Sequence, residues 1–173
     1  MGEDEDGGVL MKIAIGADHG GVHLKTIIAD FLDSLGHEVH DLGTFTNEPV
    51  DYPDYSRAVS QEILFKKAER GILVCGSGVG ACVAANKFPG IRAAICHDTY
   101  SAHQGVEHDN INILCLGARV IGPELGKDIV RVWVSASFSG AERHCRRLAK
   151  INEIEKEFFI FPSSPEGRGR GEG

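Results

Sequence analysis

Short, continuous apolar runs alternate along this chain with longer segments whose apolar residues recur every three or four positions, and few folds accommodate that pattern. The first run, Lys12-Ile13-Ala14-Ile15-Gly16, is apolar without alternation and suits a strand buried on both faces. Leu24, Ile27, Ile28, Phe31, Leu32 and Leu35 then share one stripe of a helix, and Gly36 follows as its stop. Further strands are expected at Glu38 to Leu42, Gly71 to Val74, Ile91 to Cys96 and Ile111 to Leu116. The intervening helices fall near Tyr55 to Lys67, Val79 to Lys87, Tyr100 to Val106 and Glu124 to Ala136. Five such βα units specify an α/β fold, a Rossmann-like, doubly wound, five-stranded parallel sheet with right-handed crossovers, here followed by a C-terminal helix. Sheets of this kind bind ligands beyond the carboxyl ends of their strands, so the loops after the strands are where a site belongs.

At 173 residues the chain is long enough for one domain with a substantial core, expected at 11–161. The acidic, Gly-rich segment 1–10 and the segment 162–173 (PSSPEGRGRGEG) have too little apolar surface to pack and read as disordered tails. A net charge of -7 opposes broad binding to nucleic acid and leaves room for a small anionic ligand. No stretch approaches the roughly 18 apolar residues of a membrane span, and the acidic start lacks the basic region of a signal peptide. The 5 cysteines have no regular spacing, which fits free thiols in a reducing compartment. The expectation is a soluble, cytoplasmic protein. Cys82, Cys96, Cys115 and Cys145 lack metal-ligand spacing and read as packing residues, so no metal site is expected.

Three loops carry residues capable of chemistry. Ala17-Asp18-His19-Gly20-Gly21 places an acid and an imidazole at the end of the first strand. Asp18 suits either a helix N-cap or a ligand contact, and His19 either solvent or substrate. Cys75-Gly76-Ser77-Gly78-Val79-Gly80 follows the third strand. Its glycines let backbone N–H groups converge on an anion, and a thiol near a helix start can act as base or nucleophile, although a strand-end cysteine is also an ordinary packing residue. The spelling is neither a dinucleotide fingerprint nor a Walker loop. Gly105 to Asn112 reads as a polar turn that exposes His108 as an acid or base, or as a turn with an incidental histidine. Arg119 follows the last strand, and Arg143, Arg146 and Arg147 lie with His144 on a late helical segment, where they could grip phosphate or merely face solvent.

Taken together these segments resemble the ribose-5-phosphate isomerase B family, with its galactose-6-phosphate and allose-6-phosphate isomerase relatives. The resemblance runs through KIAIGADHGG, DLGTFTNEPVDYPDY, GILVCGSGVGACVAANKFPGIRAA, SAHQGVEHDNINILCLGARVIG and ERHCRR, nearly the whole chain between the two end segments. It implies an aldose–ketose isomerase, interconverting ribose 5-phosphate and ribulose 5-phosphate through an enediolate, with Cys75 as base and no cofactor. Gly76, Ser77, Gly78, Val79 and Gly80 would hold the developing oxyanion, and His108 would assist opening of the furanose ring. Asp18, His19, Arg119, Arg143 and Arg147 would contact the sugar phosphate, and Tyr52, in the DYP turn, would line the sugar pocket. Where many members have Asn directly after the ring-opening histidine, this chain has Asp109 and then Asn110, so Asp109 enters the set as a ligand of altered charge. Some members use Glu as base, but Ala81 occupies that region here and the cysteine branch fits. The family also implies a site between two subunits of a homodimer or of a tetramer of dimers. Two other readings remain open: an isomerase of six-carbon sugar phosphates, and a non-catalytic phospho-ligand module on the same fold.

Overall fold

The computed structural model describes residues 9–159. Most of the two end segments read above as tails, residues 1–8 and 162–173, lies outside the described residues, while Val9 and Leu10 are exposed. The chain divides after Ser139 into two compact units.

The first unit is built on β1 (Lys12–Ala17), α1 (Val22–Ser34), β2 (Glu38–Asp41), α2 (Tyr52–Leu64) and β3 (Arg70–Cys75). It continues with α3 (Val79–Ala85), β4 (Ala93–Ile95), α4 (Thr99–Asp109), β5 (Ile113–Gly117) and α5 (Pro123–Ser135). The second unit contains α6 (Glu142–Phe159). All five strands are parallel, in the order β2-β1-β3-β5-β4.

Successive strand residues point to opposite faces, and the sequence supplies apolar side chains for both. Ile13, Ile15, Ile72, Val74, Leu114 and Leu116 pack on one face against Leu24, Ile28 and Leu32 of α1, Val106 of α4, and Ile129 and Trp133 of α5. On the other face Ala14, Leu73, Cys75, Ile113 and Cys115 meet Val59 of α2 and Ala81 and Ala85 of α3. The small residues of α3 bring its axis close to the sheet, and the Cys75 side chain lies on this side.

Chain direction sets the position of the site. From β1 the chain first moves outward to β2, then returns across β1 to β3, so the loops after β1 and β3 diverge at a topological switch point. Because β5 inserts between β3 and β4, the loop after β5 also opens beside that crevice.

Several expected boundaries shift, for local reasons. Helix α2 begins at Tyr52 and not Tyr55, because Pro53 in its first turn has the φ a helix start requires; Tyr52 is therefore the first helical residue and not part of a turn. The expected polar turn from Gly105 to Asn112 is also corrected. Helix α4 runs on to Asp109 and stops only at Asn110, whose left-handed φ of 51° ends it. His108 accordingly sits on the last turn of a helix, its side chain 29% exposed. Edge strand β4 keeps only three of the six expected residues.

Two polar devices brace this frame. Lys25, 1% exposed, donates to Asp41 at 2.6 Å, and Asp41 accepts the Gly43 N–H at 2.9 Å, which ties α1 to the loop leaving β2. Arg70 donates to the carbonyls of Trp133 and Ala136, satisfying the C-terminal end of α5 from within β3.

Gly21 marks the tightest approach between loop and sheet: a Cβ there would stand 2.3 Å from the carbonyl oxygen of Val74, a backbone atom fixed in the central strand. Gly21→Ala is expected to destabilise the fold by about 1–3 kcal/mol through overpacking. Thermal or denaturant unfolding reads this directly, and an unchanged midpoint would mean that the loop relaxes without cost.

Candidate active site

At the switch point a cavity of about 310 Å³ is lined by Asp18, Tyr52, Cys75, Gly76, Ser77, Gly80, Arg119 and Val120. Seven of these eight are residues expected from the sequence. They come from three strand ends and two helix starts, positions that converge only because β1, β3 and β5 are neighbours.

Cys75 is the last residue of β3 and only 4% exposed. The chain turns back over its side chain, so the Gly78 N–H donates to Cys75 Sγ at 3.1 Å. A donor aimed at sulfur counters negative charge formed there. Ser77 is exposed and its Oγ accepts the Val79 N–H at 3.2 Å. The Gly78 and Val79 amides are thus engaged within the loop, and neither residue lines the cavity, where Gly76, Ser77 and Gly80 do.

Asp18 does not cap α1: the N-cap is Gly21, without a side-chain hydrogen bond, because the loop first closes a turn in which Gly21 N–H donates to the Asp18 carbonyl. The Asp18 carboxylate instead accepts the Gly20 N–H at 2.9 Å and borders the cavity. His19, exposed, accepts the Val50 N–H on Nδ1 at 3.2 Å, which leaves Nε2 as the nitrogen available to donate outward. The Tyr52 ring lies over Gly80. Arg119 places its guanidinium over Gly76, while its own N–H donates to the Gly76 carbonyl at 3.0 Å.

Other expected residues stand elsewhere. His108 and Asp109 end α4, and three residues later the Asn112 carbonyl accepts the N–H of Gly71, near the start of β3. Cys75 is four residues further along that strand, roughly 13 Å at the usual rise. One chain therefore holds Cys75 and His108 at opposite ends of its sheet. The Nδ1 of His108 faces Gln104 Nε2 at 3.1 Å. Arg143 and Arg147 are exposed on α6, in the second unit, with Arg143 Nε donating to His144 Nε2 at 3.1 Å.

The remaining cysteines are not all inert packing. Cys96 and Cys115 are buried, and burial raises the Cys96 thiol to about 11. Cys82, half-buried on α3, is lowered to about 7, chiefly by a hydrogen bond from the Cys115 thiol. Cys145 is exposed, contrary to expectation, because its helical position faces outward. No group of three or more potential metal ligands occurs among the described residues. Among those residues no helix is long and apolar enough to cross a membrane.

A thiol at a strand end in a small crevice, with amides, a hydroxyl, an acid and an arginine around it, has the parts needed to move a proton beside a carbonyl while an anionic substrate is held. The family model described as Ribose/Galactose Isomerase matches residues 13–151. Ribose-5-phosphate isomerase B of Escherichia coli is 44% identical over 147 residues, covering 85% of this chain and 98% of the relative. D-erythrulose-4-phosphate isomerase of Pectobacterium atrosepticum is 47% identical over 132 residues, covering 76% and 87%. Among solved structures, Clostridium thermocellum ribose-5-phosphate isomerase B superposes with a TM-score of 0.83 at 52% identity, covering 86% of this chain and 99% of that one. Fold and site together define a sugar-phosphate isomerase. The chain belongs to the ribose-5-phosphate isomerase B family.

Proposed function

We propose that this enzyme interconverts ribose 5-phosphate and ribulose 5-phosphate, with Cys75 as the base. The observation that carries the reading is the Cys75 thiol on the wall of the switch-point cavity, its sulfur 3.1 Å from the Gly78 amide. In the forward direction the thiolate takes the proton from C2 of the open-chain aldose, and the electron pair left behind forms the C1–C2 double bond of a cis-enediolate. Negative charge collects on O1, where the Gly76 to Gly80 loop and the Ser77 hydroxyl stabilise it. The proton on O2 passes to O1, and the thiol returns its proton to C1, which gives the ketose and restores the thiolate.

The phosphate is assigned to His19 and Arg119, with Arg143 and Arg147 carried over from the family resemblance. Asp18 and Tyr52 border the sugar. Ring opening, a proton transfer between the anomeric hydroxyl and the ring oxygen, is assigned to His108 with Asp109 beside it. Because one chain holds His108 at the far end of the sheet from Cys75, a second copy supplies it, so the working unit is a homodimer or a tetramer of dimers. The isomerase domain is placed at 11–161 and the protein in the cytoplasm, in the pentose phosphate pathway, without a cofactor.

Solvent deuterium supplies the test. With ribose 5-phosphate or ribulose 5-phosphate in deuterium oxide, the full-length protein is expected to introduce deuterium at C1 or C2 while interconverting the two. No exchange above background would favour a non-catalytic phospho-ligand module. Parallel turnover on ribose 5-phosphate, allose 6-phosphate and galactose 6-phosphate ranks the pocket, and a preference for a six-carbon substrate would replace the pentose assignment.

A further inference from the structure

Beyond the residues that line the cavity, the support under its floor depends on a side chain with no part in the proposed chemistry. Gly117, the last residue of β5, is paired in register with Cys75. A Cβ on Gly117 would stand 2.6 Å from the carbonyl oxygen of Ser77, so the loop that follows Cys75 rests on this bare Cα. The Gly117 carbonyl accepts the N–H groups of Val120 and Ile121 at 2.9 and 3.1 Å, closing the turn that carries Arg119 and Val120 into the cavity. Both loops on this side of the site therefore hang on one residue.

The N–H of that residue has no strand partner on the β4 side. Strand β4 ends at Ile95, which is in register with Cys115, so continuing the ladder two residues would bring position 97 opposite Gly117. The strand does not continue, and a buried N–H left without an acceptor costs about 1–3 kcal/mol. The side chain of His97 takes the place of the missing rung: its Nε2 accepts the Gly117 N–H at 2.9 Å. His97 is half-buried and does not line the cavity.

We infer that His97 is a positioning residue for the isomerase reaction, holding the Gly117 peptide so that the Cys75 to Gly80 loop and the Arg119 turn keep their geometry. The inference rests on the reading of the Cys75 cavity as the active site. His97 touches neither the thiol nor the cavity, so its effect belongs on the chemical step, where a small misplacement of reacting groups is costly, more than on binding.

The experiment compares His97→Gln, whose amide oxygen can reach the place of Nε2, with His97→Met, of similar length and without a comparable acceptor. Met is expected to lower kcat on ribulose 5-phosphate about tenfold to a hundredfold with KM changed by less than about threefold. Gln is expected to stay within about threefold of the unmodified enzyme in both. Amide hydrogen exchange over Leu116–Gly117 should quicken in Met and not in Gln. The inference is overturned if both variants keep full kcat, if both lose it alike, or if the loss falls on KM. It is also overturned if Met loses kcat while exchange at Gly117 is unchanged. An inactive unmodified enzyme, or an active Cys75→Ala enzyme, would instead sink the active-site reading itself.

Discussion

Cys75→Ala is expected to lower kcat for interconversion of ribose 5-phosphate and ribulose 5-phosphate by about a hundredfold to ten-thousandfold, the usual range for removing a general base. The loss should fall on kcat. The phosphate contacts assigned to His19 and Arg119 involve neither the thiol nor its hydrogen bond with Gly78, so KM should stay within a few fold. Stability should change little by comparison, because the thiol is small and Ala fills most of its space. The decisive measurement is solvent deuterium entering C1 or C2 with the folded variant, and exchange at the unmodified rate would assign the base to another residue. Mutation is a cleaner probe than alkylation. Cys82, lowered to about 7 by its bond from Cys115, and the exposed Cys145 would also react, so loss of activity after alkylation does not point to Cys75 alone.

Co-assembly of two inactive chains should produce an active enzyme. Cys75→Ala and His108→Ala are each expected to be severely impaired on cyclic ribose 5-phosphate, the first in proton abstraction and the second in ring opening. If each site takes Cys75 from one copy and His108 from the other, a mixed dimer contains one site with both groups intact and one with neither. Random assembly in equal amounts makes half of the dimers mixed, so activity should return to about a quarter of that of the unmodified protein per chain. A differently tagged pair, purified for the mixed species, should reach about half. Recovery no greater than the sum of the two separate variants would place both groups in one copy, and would demand a large movement of α4 relative to β3. The His108→Ala protein should also turn over the open-chain ketose better than the cyclic aldose, since only the latter needs the ring-opening proton transfer.

The parts of the site legible in the sequence were those fixed by local chemistry. A cysteine ending an apolar run and followed by Gly-Ser-Gly can only leave the strand through a tight loop, and Asp-His-Gly-Gly after the first strand has the same character. Their roles beyond that came from the resemblance, whose long segments are more specific than any of the glycine patterns alone. The errors were also local. Pro53 marked the start of α2 three residues before the apolar stripe became visible, and Asn110 ended α4 where a run of polar residues suggested an earlier turn. In both cases capping chemistry outweighed hydrophobic period. His97 gave no signal, since it lies outside every quoted segment and matters through a neighbour distant in sequence, and Val120, inside the last long segment, was not singled out because its side chain carries no chemistry.

The sequence by itself determined five strands, the helices between them, and hence a doubly wound parallel sheet with its chemistry at the carboxyl ends. Apolar period and turn residues act over a few positions and are written in the order of the chain. Strand order is not. Only the tertiary structure decided that β5 lies between β3 and β4, because all three of these strands are apolar enough to occupy the centre, and the choice is made by how α1, α4 and α5 pack together on one face and α2 and α3 on the other. That order brings Arg119 to Cys75, sets Gly117 beneath Ser77, leaves its N–H to His97, and keeps His108 at the opposite end of the sheet.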